Sequence, residues 1–234
     1  KKGITGFEKL VVSDITTGQA LDFTQLGISD VDLATGVGDD ATFTIANNAT
    51  ITLGAIASST DDTSTVTVSG AADAGANSDT FTLKLDALHA GSNITYGIMS
   101  VANVETVNIV SSSTKATVPT EDNDIDLVLA NATTVVVTGN TGLLINGDPF
   151  DGAITSFDAS ALTGNLNVSF ASGTGVTFTG SATGANTMVG SSNADLITGG
   201  TGGDSLAGTG GIDIVNLGAA GATDTVALSV TASA

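Results

Sequence analysis

Short segments in which apolar and polar residues alternate run through most of the chain. They lie at 42–53, 64–69, 79–85, 125–129, 133–138, 143–146, 166–170 and 176–179. Turn-forming residues separate them, for example Thr-Gly at 17–18 and Asp-Pro at 148–149. Strict alternation is typical of strands with one buried face, so the pattern predicts an all-β protein. Only residues 86–91 and 158–162 indicate helix, and both segments are short.

The spacing of these segments predicts how the strands are arranged. From about residue 125 they recur every ~20 residues, which is the spacing of coils in a solenoid. Each coil of a solenoid buries its aliphatic side chains against its neighbours, so no single globular core is needed. We therefore expect a parallel β-solenoid, similar to a β-helix, built of short strands. The expected division is into residues 1–98, 99–180 and 181–234, the last being a narrow roll.

The last quarter of the chain contains a glycine-rich repeat of nine residues. Its copies are GSSNADLIT (190–198), GGTGGDSLA (199–207) and GTGGIDIVN (208–216). The three copies keep the phase of the pattern G-G-x-G-x-D-x-U-x, in which x is any residue and U an aliphatic one, although the first copy has lost two of its glycines. This pattern winds into a parallel β-roll and binds Ca²⁺. Glycines allow turns that bring backbone carbonyls round an ion, and the aspartate supplies a hard anionic oxygen. Because every copy keeps the aliphatic position, the pattern favours a calcium roll over a disordered Gly/Thr linker.

The nine-residue period also predicts which aspartates share an ion. Alternate turns of a roll lie on the same edge, so we expect Asp195 and Asp213 to form one site. Asp204 lies on the opposite edge and is expected to pair with Asn186, which replaces the aspartate in a weaker copy of the repeat, on one side. On its other side the expected partner is Asp224, which is two residues out of phase, and both partners are candidate metal ligands. Carbonyls of the glycine turns would complete about six oxygen ligands. The turn positions expected to contribute are Gly199, Thr201, Gly208 and Gly210.

A second acidic segment, EDNDID at 121–126, is another candidate for calcium binding. The oxygens of Asp122, Asp124 and Asp126 alternate as they do at the beginning of many calcium loops. Four acids within six residues also repel one another unless a cation neutralises them. A solvated loop that leads into a strand is the alternative, because no bidentate Glu and turn glycine follow at EF-hand spacing.

The charge balance excludes several classes of partner. The chain has 24 acidic residues against five lysines, a formal net charge of −19, no arginine and no cysteine. Binding to nucleic acid or to an anionic membrane needs a basic surface, so neither is expected. No apolar run is long enough to span a bilayer. The lack of cysteine fits a secreted bacterial protein that metal, rather than disulfides, stabilises.

The sequence predicts no catalytic site. His89 is the only histidine, and the nucleophile pattern G-x-S-x-G does not occur. We expect His89 to be a surface residue. Glu105, which matches Glu8 in a repeated segment, is expected to accept hydrogen bonds from the backbone.

Several segments in this order resemble a known family. They are GFEKLVV (6–12), DTFTLKL (79–85), NVETVNI (103–109), TTVVVTGNTGLLING (133–147), ITSFDASALTGNLNVSF (154–170) and the nonapeptides. Together they are similar to the C-terminal part of RTX-type bacterial surface-layer (S-layer) proteins of the Caulobacter type. The chain stops soon after the roll and has no anchoring region, so the resemblance implies an internal, lattice-forming segment.

The resemblance implies a function as well as a fold. Such a protein is exported by a type I system and forms a two-dimensional lattice on the cell surface of a Gram-negative bacterium. Calcium would fold the subunit and join it to identical neighbours, while cell-surface polysaccharide would bind through regions outside this chain. An RTX-containing adhesin or biofilm-matrix module that binds a glycan or surface is the alternative, because such proteins contain similar modules.

Overall fold

The computed structural model describes residues 8–13, 15, 18–35, 40–54, 63–71, 78–89, 91–113, 120–146, 154–170, 174–219 and 221–228. These residues form twenty β-strands and one 3₁₀ helix at Thr24–Leu26. The described part of the chain contains no α-helix, and no helix in it is long and apolar enough to cross a bilayer.

In chain order the strands are β1 (Leu10–Val12), β2 (Ala20–Asp22), β3 (Asp30–Leu33), β4 (Thr42–Ile45), β5 (Thr50–Leu53), β6 (Thr63–Val68), β7 (Thr80–Ala87), β8 (Ile94–Ala102), β9 (Thr106–Ser113), β10 (Asp122–Leu129), β11 (Thr134–Gly139), β12 (Gly142–Asn146), β13 (Ser156–Leu162), β14 (Leu166–Ser169), β15 (Thr177–Thr179), β16 (Asn186–Val189), β17 (Leu196–Thr198), β18 (Ser205–Gly208), β19 (Ile214–Asn216) and β20 (Thr225–Leu228).

The strands form two parallel sheets of ten strands each. All odd-numbered strands lie in one sheet and all even-numbered strands in the other, in chain order. We call these the odd sheet and the even sheet. Every coil of the chain therefore adds one strand to each sheet, which is the architecture of a β-solenoid. The predicted all-β solenoid is confirmed.

Alternation along each strand builds the core between the two sheets. In β10, for example, Asn123, Ile125 and Leu127 are buried, while the residues between them are partly exposed. Successive side chains of a strand point to opposite faces, so one face of each sheet is apolar and turns inward. In the odd sheet, an inward column runs through Phe81, Val107, Val135, Phe157, Phe178 and Ile197. The core is therefore a continuous stack along the solenoid rather than one central cluster.

The coils are longest in the middle of the stack and become shorter from there toward its C-terminal end. Thr50 pairs with Thr82, 32 residues later, whereas Leu196 pairs with Ile214, 18 residues later. Two nonapeptides thus make one complete coil, as the nine-residue period predicts. Both sheets run on without a break past residues 98 and 180, and the boundary at 98 falls inside β8. The three-part division of the chain stays a prediction.

The two short helices expected from the sequence are wrong in the part of the chain that the structure describes. Residues 86 and 87 continue β7, and 158–162 lie in β13. Both strands pair with β-strands on either side of them in the odd sheet. These backbone hydrogen bonds override the weak local preference for helix.

We expect the aromatic side chains of the core to be among its most sensitive positions. Phe178 is 1% exposed, and its ring centroid lies 4.8 Å from that of Phe157 and 4.9 Å from that of Phe170. Phe178→Ala should lower the free energy of unfolding by about 3–5 kcal/mol, because it leaves a cavity that its neighbours fill only in part. Urea denaturation followed by circular dichroism measures this change. Ser160→Ala, at an exposed position of β13, is the control, and an equal effect of both changes would contradict the assigned packing.

Candidate metal sites

Four aspartates stand at the entrances to the last four strands of the solenoid. Asp195 and Asp213 directly precede β17 and β19 of the odd sheet, while Asp204 and Asp224 directly precede β18 and β20 of the even sheet. We call the positions of the first pair the odd edge and those of the second pair the even edge. On each edge, the two carboxylates lie on neighbouring coils.

On the odd edge, each carboxylate binds the backbone of the preceding coil. Asp213 Oδ1 accepts a hydrogen bond of 3.0 Å from the backbone N–H of Asp195. Asp195 Oδ1 accepts a bond of 2.9 Å from the N–H of Val176 in the same way. The structure therefore brings together the pair that the nine-residue period predicts to share an ion.

The even edge has the same arrangement. Asp224 Oδ1 accepts a bond of 3.0 Å from the N–H of Asp204, and Asp204 Oδ1 accepts a bond of 2.9 Å from the N–H of Asn186. Asp224 is out of phase in the sequence, but Ser205 pairs with Thr225 and so aligns Asp224 with Asp204. The turn between β19 and β20 accommodates the two additional residues.

The Asp195 carboxylate has one oxygen that the protein does not satisfy. Asp195 is 4% exposed, and its Oδ1 accepts a second bond, of 2.8 Å, from Ser191 Oγ. Its Oδ2 is buried and has no hydrogen-bond partner. An unpartnered buried carboxylate oxygen is costly, because it has lost its water without gaining a donor. A bound cation would remove this cost.

The two lysines that the structure describes do not neutralise this carboxylate. Lys9 Nζ lies 2.8 Å from Asp32, and Lys84 Nζ lies 2.7 Å from Asp86. Both pairs belong to the first coils of the stack, far along the solenoid from the odd edge of the roll. Neither of these two ion pairs therefore reduces the negative charge at Asp195.

The first glycine of each nonapeptide makes room for a carboxylate. A Cβ atom would lie 2.4 Å from the Asp195 Oδ2 at Gly190, 2.3 Å from the Asp204 Oδ2 at Gly199 and 2.1 Å from the Asp213 Oδ2 at Gly208. Real Cβ atoms essentially never approach other heavy atoms so closely. Glycine at this position thus lets the aspartate five residues later turn one carboxylate oxygen toward its own turn, and a larger residue would displace that oxygen.

The other turn residues predicted as ligands lie where the coils stack on one another. Thr201 donates hydrogen bonds to the carbonyl of Ala182 from both N and Oγ1, at 3.1 and 3.2 Å. At Gly210, a Cβ would lie 2.8 Å from the carbonyl oxygen of Ser192 in the preceding coil. These contacts pack the turns of neighbouring coils closely against one another. That Gly199, Thr201, Gly208 and Gly210 act as calcium ligands stays a prediction.

The donor set of the roll limits which cation would fit. Within the described ranges, no group of three or more His, Cys, Asp or Glu side chains converges on one point. A cation at either edge would therefore combine one or two carboxylates with backbone carbonyls of the turns. Ca²⁺ accepts such mixed oxygen donors in flexible geometry, whereas Zn²⁺ is usually held by Cys and His side chains.

The acidic segment at 121–126 is neither a calcium loop nor a solvated loop. Asp122, Asp124 and Asp126 lie in β10, with their side chains on its partly exposed outer face. Asp124 accepts hydrogen bonds from Asn146 Nδ2 at 2.5 Å and from Thr95 Oγ1 at 3.4 Å, both on neighbouring strands. Calcium binding by the three aspartates stays a prediction, but an ion here would lie on the face of a sheet.

Partial burial affects the charge of these three side chains. Loss of hydration raises the pKa of Asp122, Asp124 and Asp126 above the usual value of an aspartate. At Asp124, repulsion by Asp126 raises the pKa further, and the hydrogen bonds from Thr95 and Asn146 oppose the shift. The ionised row on β10 is therefore an unfavourable arrangement unless a cation compensates it.

Two predictions about single residues have opposite outcomes. His89 is 2% exposed rather than at the surface, and its Nδ1 lies 3.0 Å from Ser113 Oγ. Glu105 accepts a hydrogen bond of 2.9 Å from the backbone N–H of Asp79, as expected. His89 follows β7. Its burial could not be predicted, because the sequence indicated a helix at 86–91 instead of the end of a strand.

Sequence reasoning also missed a polar cluster inside the solenoid. Tyr96 Oη donates to Asn123 Oδ1 at 3.1 Å, and Asn123 Nδ2 donates to Ser111 Oγ at 2.9 Å. Asn123 is the buried residue between Asp122 and Asp124. The alternating acids of the segment indicate a cation site and give no signal for a buried polar residue among them. The cluster satisfies polar groups that the core would otherwise leave unpaired.

Comparisons with known proteins leave the site to be interpreted from its own geometry. No protein-family model matches the chain, and no curated protein matches it. The resemblance to surface-layer proteins therefore stays an expectation based on the short motifs named above.

The pKa shifts on β10 predict how stability depends on pH. Because the pKa of Asp124 is raised, the folded protein binds a proton there more readily than the unfolded chain does. Ionised Asp124 thus lowers stability at neutral pH, and this cost disappears as the pH falls from the folded-state pKa to the unfolded value of about 3.9. Asp124→Asn should raise the urea midpoint at pH 7 in EDTA and have no effect below about pH 4.

Asp158→Asn, at an exposed position of β13, is the control for this prediction and should leave the midpoint unchanged at both pH values. The same measurement with calcium tests whether an ion binds on β10. If calcium stabilises the wild-type chain more than Asp124→Asn, an ion binds there. A lower midpoint of Asp124→Asn in EDTA at pH 7 would contradict the assigned burial cost.

Proposed function

We propose that this chain is a calcium-binding structural segment of an RTX-type surface-layer protein, which assembles with copies of itself into a two-dimensional lattice on a Gram-negative cell. The observation that carries the proposal is the buried, unpartnered Oδ2 of Asp195, stacked one coil away from Asp213. The similarity of the ordered motifs to surface-layer proteins supports the remainder of the proposal.

Calcium is the cation that best suits these edges. It takes six to eight oxygen ligands and tolerates irregular geometry, whereas Mg²⁺ demands a near-ideal octahedron and gives up its waters reluctantly. The roll offers oxygen donors in the form of the paired aspartates and the carbonyls of the glycine turns. The formal net charge of −19 also favours uptake of divalent cations over binding of nucleic acid.

Calcium binding of this kind would contribute directly to folding. A free ion at ~100 times its dissociation constant stabilises the folded state by about 2.7 kcal/mol for each independent site. Three or four such sites would match the whole net stability of a typical domain, roughly 5–15 kcal/mol. Export of an unfolded chain that folds only in a calcium-rich medium agrees with secretion through a type I system.

Self-assembly is supported by apolar side chains near the C-terminal end of the described stack. Ile212 is 86% exposed and Ile214 64% exposed, and Leu196 lies beside Ile214 on the outer face of the odd sheet. Clustered apolar side chains on a surface commonly mark a protein contact.

The alternative function, an adhesin or biofilm-matrix module, is favoured by a different surface. A column of hydroxyl-bearing residues crosses five neighbouring strands on the outer face of the odd sheet. Its members are Thr80, Thr106, Thr134, Ser156 and Thr177. Such a polar, uncharged row can donate to and accept from the hydroxyls of a glycan.

The proposal includes no catalytic activity. The His89 imidazole lies near a serine hydroxyl, but at 2% exposure it is shielded from a substrate. The carboxylates of the roll are engaged with backbone N–H groups rather than directed into a cleft. A structural role, extracellular and at the cell surface, accounts for the arrangement without a reaction.

Removing the Asp195 carboxylate tests the calcium site. Asp195→Asn should bind one ion fewer than the wild-type chain by isothermal titration calorimetry, because the amide supplies one neutral oxygen in place of an anionic carboxylate. At free calcium of ~100 times the wild-type dissociation constant, it should lose about 2.7 kcal/mol of calcium-dependent stabilisation. Asp158→Asn removes the same charge at an exposed site and should change neither quantity. The same ion count for all three proteins would disprove a site at Asp195.

Imaging tests assembly and separates the two functions. The purified chain should form ordered sheets in negative stain with millimolar calcium, and the sheets should dissolve when EDTA is added. Magnesium at the same concentration is the control for ionic strength and should not support sheets. Dispersed particles under every condition, combined with calcium-dependent binding on a glycan array, would favour the adhesin instead.

A further inference from the structure

Asn186 occupies the position of an edge aspartate without its charge. Thr187 pairs with Ser205, so Asn186 lies one coil before Asp204 on the even edge. Its side chain is 1% exposed. The sequence predicts it as a metal ligand by analogy with the aspartates, and its contacts indicate a different role.

The amide nitrogen of Asn186 faces three oxygens. Nδ2 donates to the carbonyl of Ser181 at 3.2 Å, to the carbonyl of Gly184 at 3.3 Å and to Asp204 Oδ1 at 2.9 Å. The amide oxygen accepts a bond of 2.6 Å from the N–H of Ser181. Because backbone carbonyls only accept and a backbone N–H only donates, these contacts fix which amide atom is nitrogen.

Two turn carbonyls and a carboxylate are the kind of oxygens that a calcium ion would collect at an edge of the roll. We propose that the Asn186 amide replaces a cation at this position and ends the column of ions on the even edge. This inference rests on the proposed function, since it requires that ions bind at the edges further along the roll. The hydrogen bonds of Asn186 thereby hold the turn at 181–184 in place without a bound metal.

The state of Asp204 supports this role for Asn186. Asp204 Oδ1 accepts both the N–H and the side-chain amide of Asn186, each at 2.9 Å, and its Oδ2 accepts the N–H of Gly200 at 2.8 Å. Both oxygens of Asp204 are thus satisfied, although the residue is only 2% exposed. Asp195 Oδ1 on the odd edge also has two donors, but the second is Ser191 Oγ of its own turn, at 2.8 Å, rather than a side chain of the preceding coil. The two edges differ in this second donor and in the backbone N–H of Gly200, which partners Oδ2 of Asp204, whereas Oδ2 of Asp195 has no partner.

Restoring the aspartate tests the inference. Asn186→Asp should bind one more calcium ion per chain than the wild type by calorimetry, because it replaces the amide with a second carboxylate facing the same oxygens. In EDTA it should melt at a lower temperature than the wild type, and saturating calcium should remove the difference. Asn167→Asp adds the same charge at an exposed position of β14 and should change neither the ion count nor the calcium dependence.

The outcomes separate this inference from the proposed function. If the wild type binds calcium and Asn186→Asp binds no additional ion, only the inference is overturned. If neither protein binds calcium, the inference and the proposed function are both overturned. One more ion in Asn186→Asp than in a wild type that itself binds calcium supports the role of the amide, and a wild type that binds none overturns the inference together with the proposed function.

A measurement on the wild-type chain covers the case in which Asn186→Asp does not fold. The side-chain NH₂ of Asn186 should stay protected from hydrogen exchange, with unchanged NMR shifts, as calcium is titrated to saturation. Loss of protection, or a large shift of these two protons, would mean that the ion displaces the amide and would overturn the inference. The exposed NH₂ of Asn167 is the internal reference and should exchange quickly throughout.

Discussion

The structure depends on the register in which each coil pairs with the next. Parallel pairing stacks equivalent positions directly on one another, so whatever residue enters a strand in one coil meets its counterpart in the following coil. For apolar side chains this repetition is favourable, and it produces the inward column that passes through Phe157 and Phe178. For aspartates it places negative charges on neighbouring coils, as at Asp195 and Asp213. The same register that builds the core therefore creates a repulsion at the edges, which hydrogen bonds, an amide or a cation must offset.

Much of this could be predicted from the sequence, because a solenoid repeats one local rule. Alternation predicts the strands, their spacing predicts the coils, and the nine-residue period predicts that Asp195 aligns with Asp213. The predictions that fail concern residues whose structure depends on pairing with a neighbouring coil rather than on the local sequence. Asp224 is out of phase, yet the longer turn before it absorbs the difference and pairing restores the alignment. Residues 158–162 have a weak preference for helix, and ladder bonds on both sides of β13 override it.

The role of Asn186 could not be predicted for a related reason. By sequence it is a weakened copy of an aspartate, and the natural expectation is a weaker ligand. Its function depends on where the carbonyls of Ser181 and Gly184 lie, and a linear pattern contains no information on carbonyl direction. Asparagine differs from aspartate by exchanging an acceptor for a donor, which reverses the kind of partner that its surroundings must supply. A substitution that conserves the size of the side chain in a repeat can thus mark the point at which the chemistry of the repeat changes.

The narrowing of the coils explains why such chemistry is found at this end of the molecule. The strand β7 alone buries Phe81, Leu83 and Leu85, whereas β17 and β18 bury one aliphatic side chain each, Ile197 and Leu206. In a solenoid each coil is stabilised mainly by its direct neighbours, so the large core of the middle coils cannot compensate for the small core of the late ones. Coils of 18 residues therefore need another source of cohesion, and charge neutralisation between stacked carboxylates can supply it where apolar burial is limited. On this argument, sensitivity to cations should follow the local size of the core, increasing along the stack as the coils shorten.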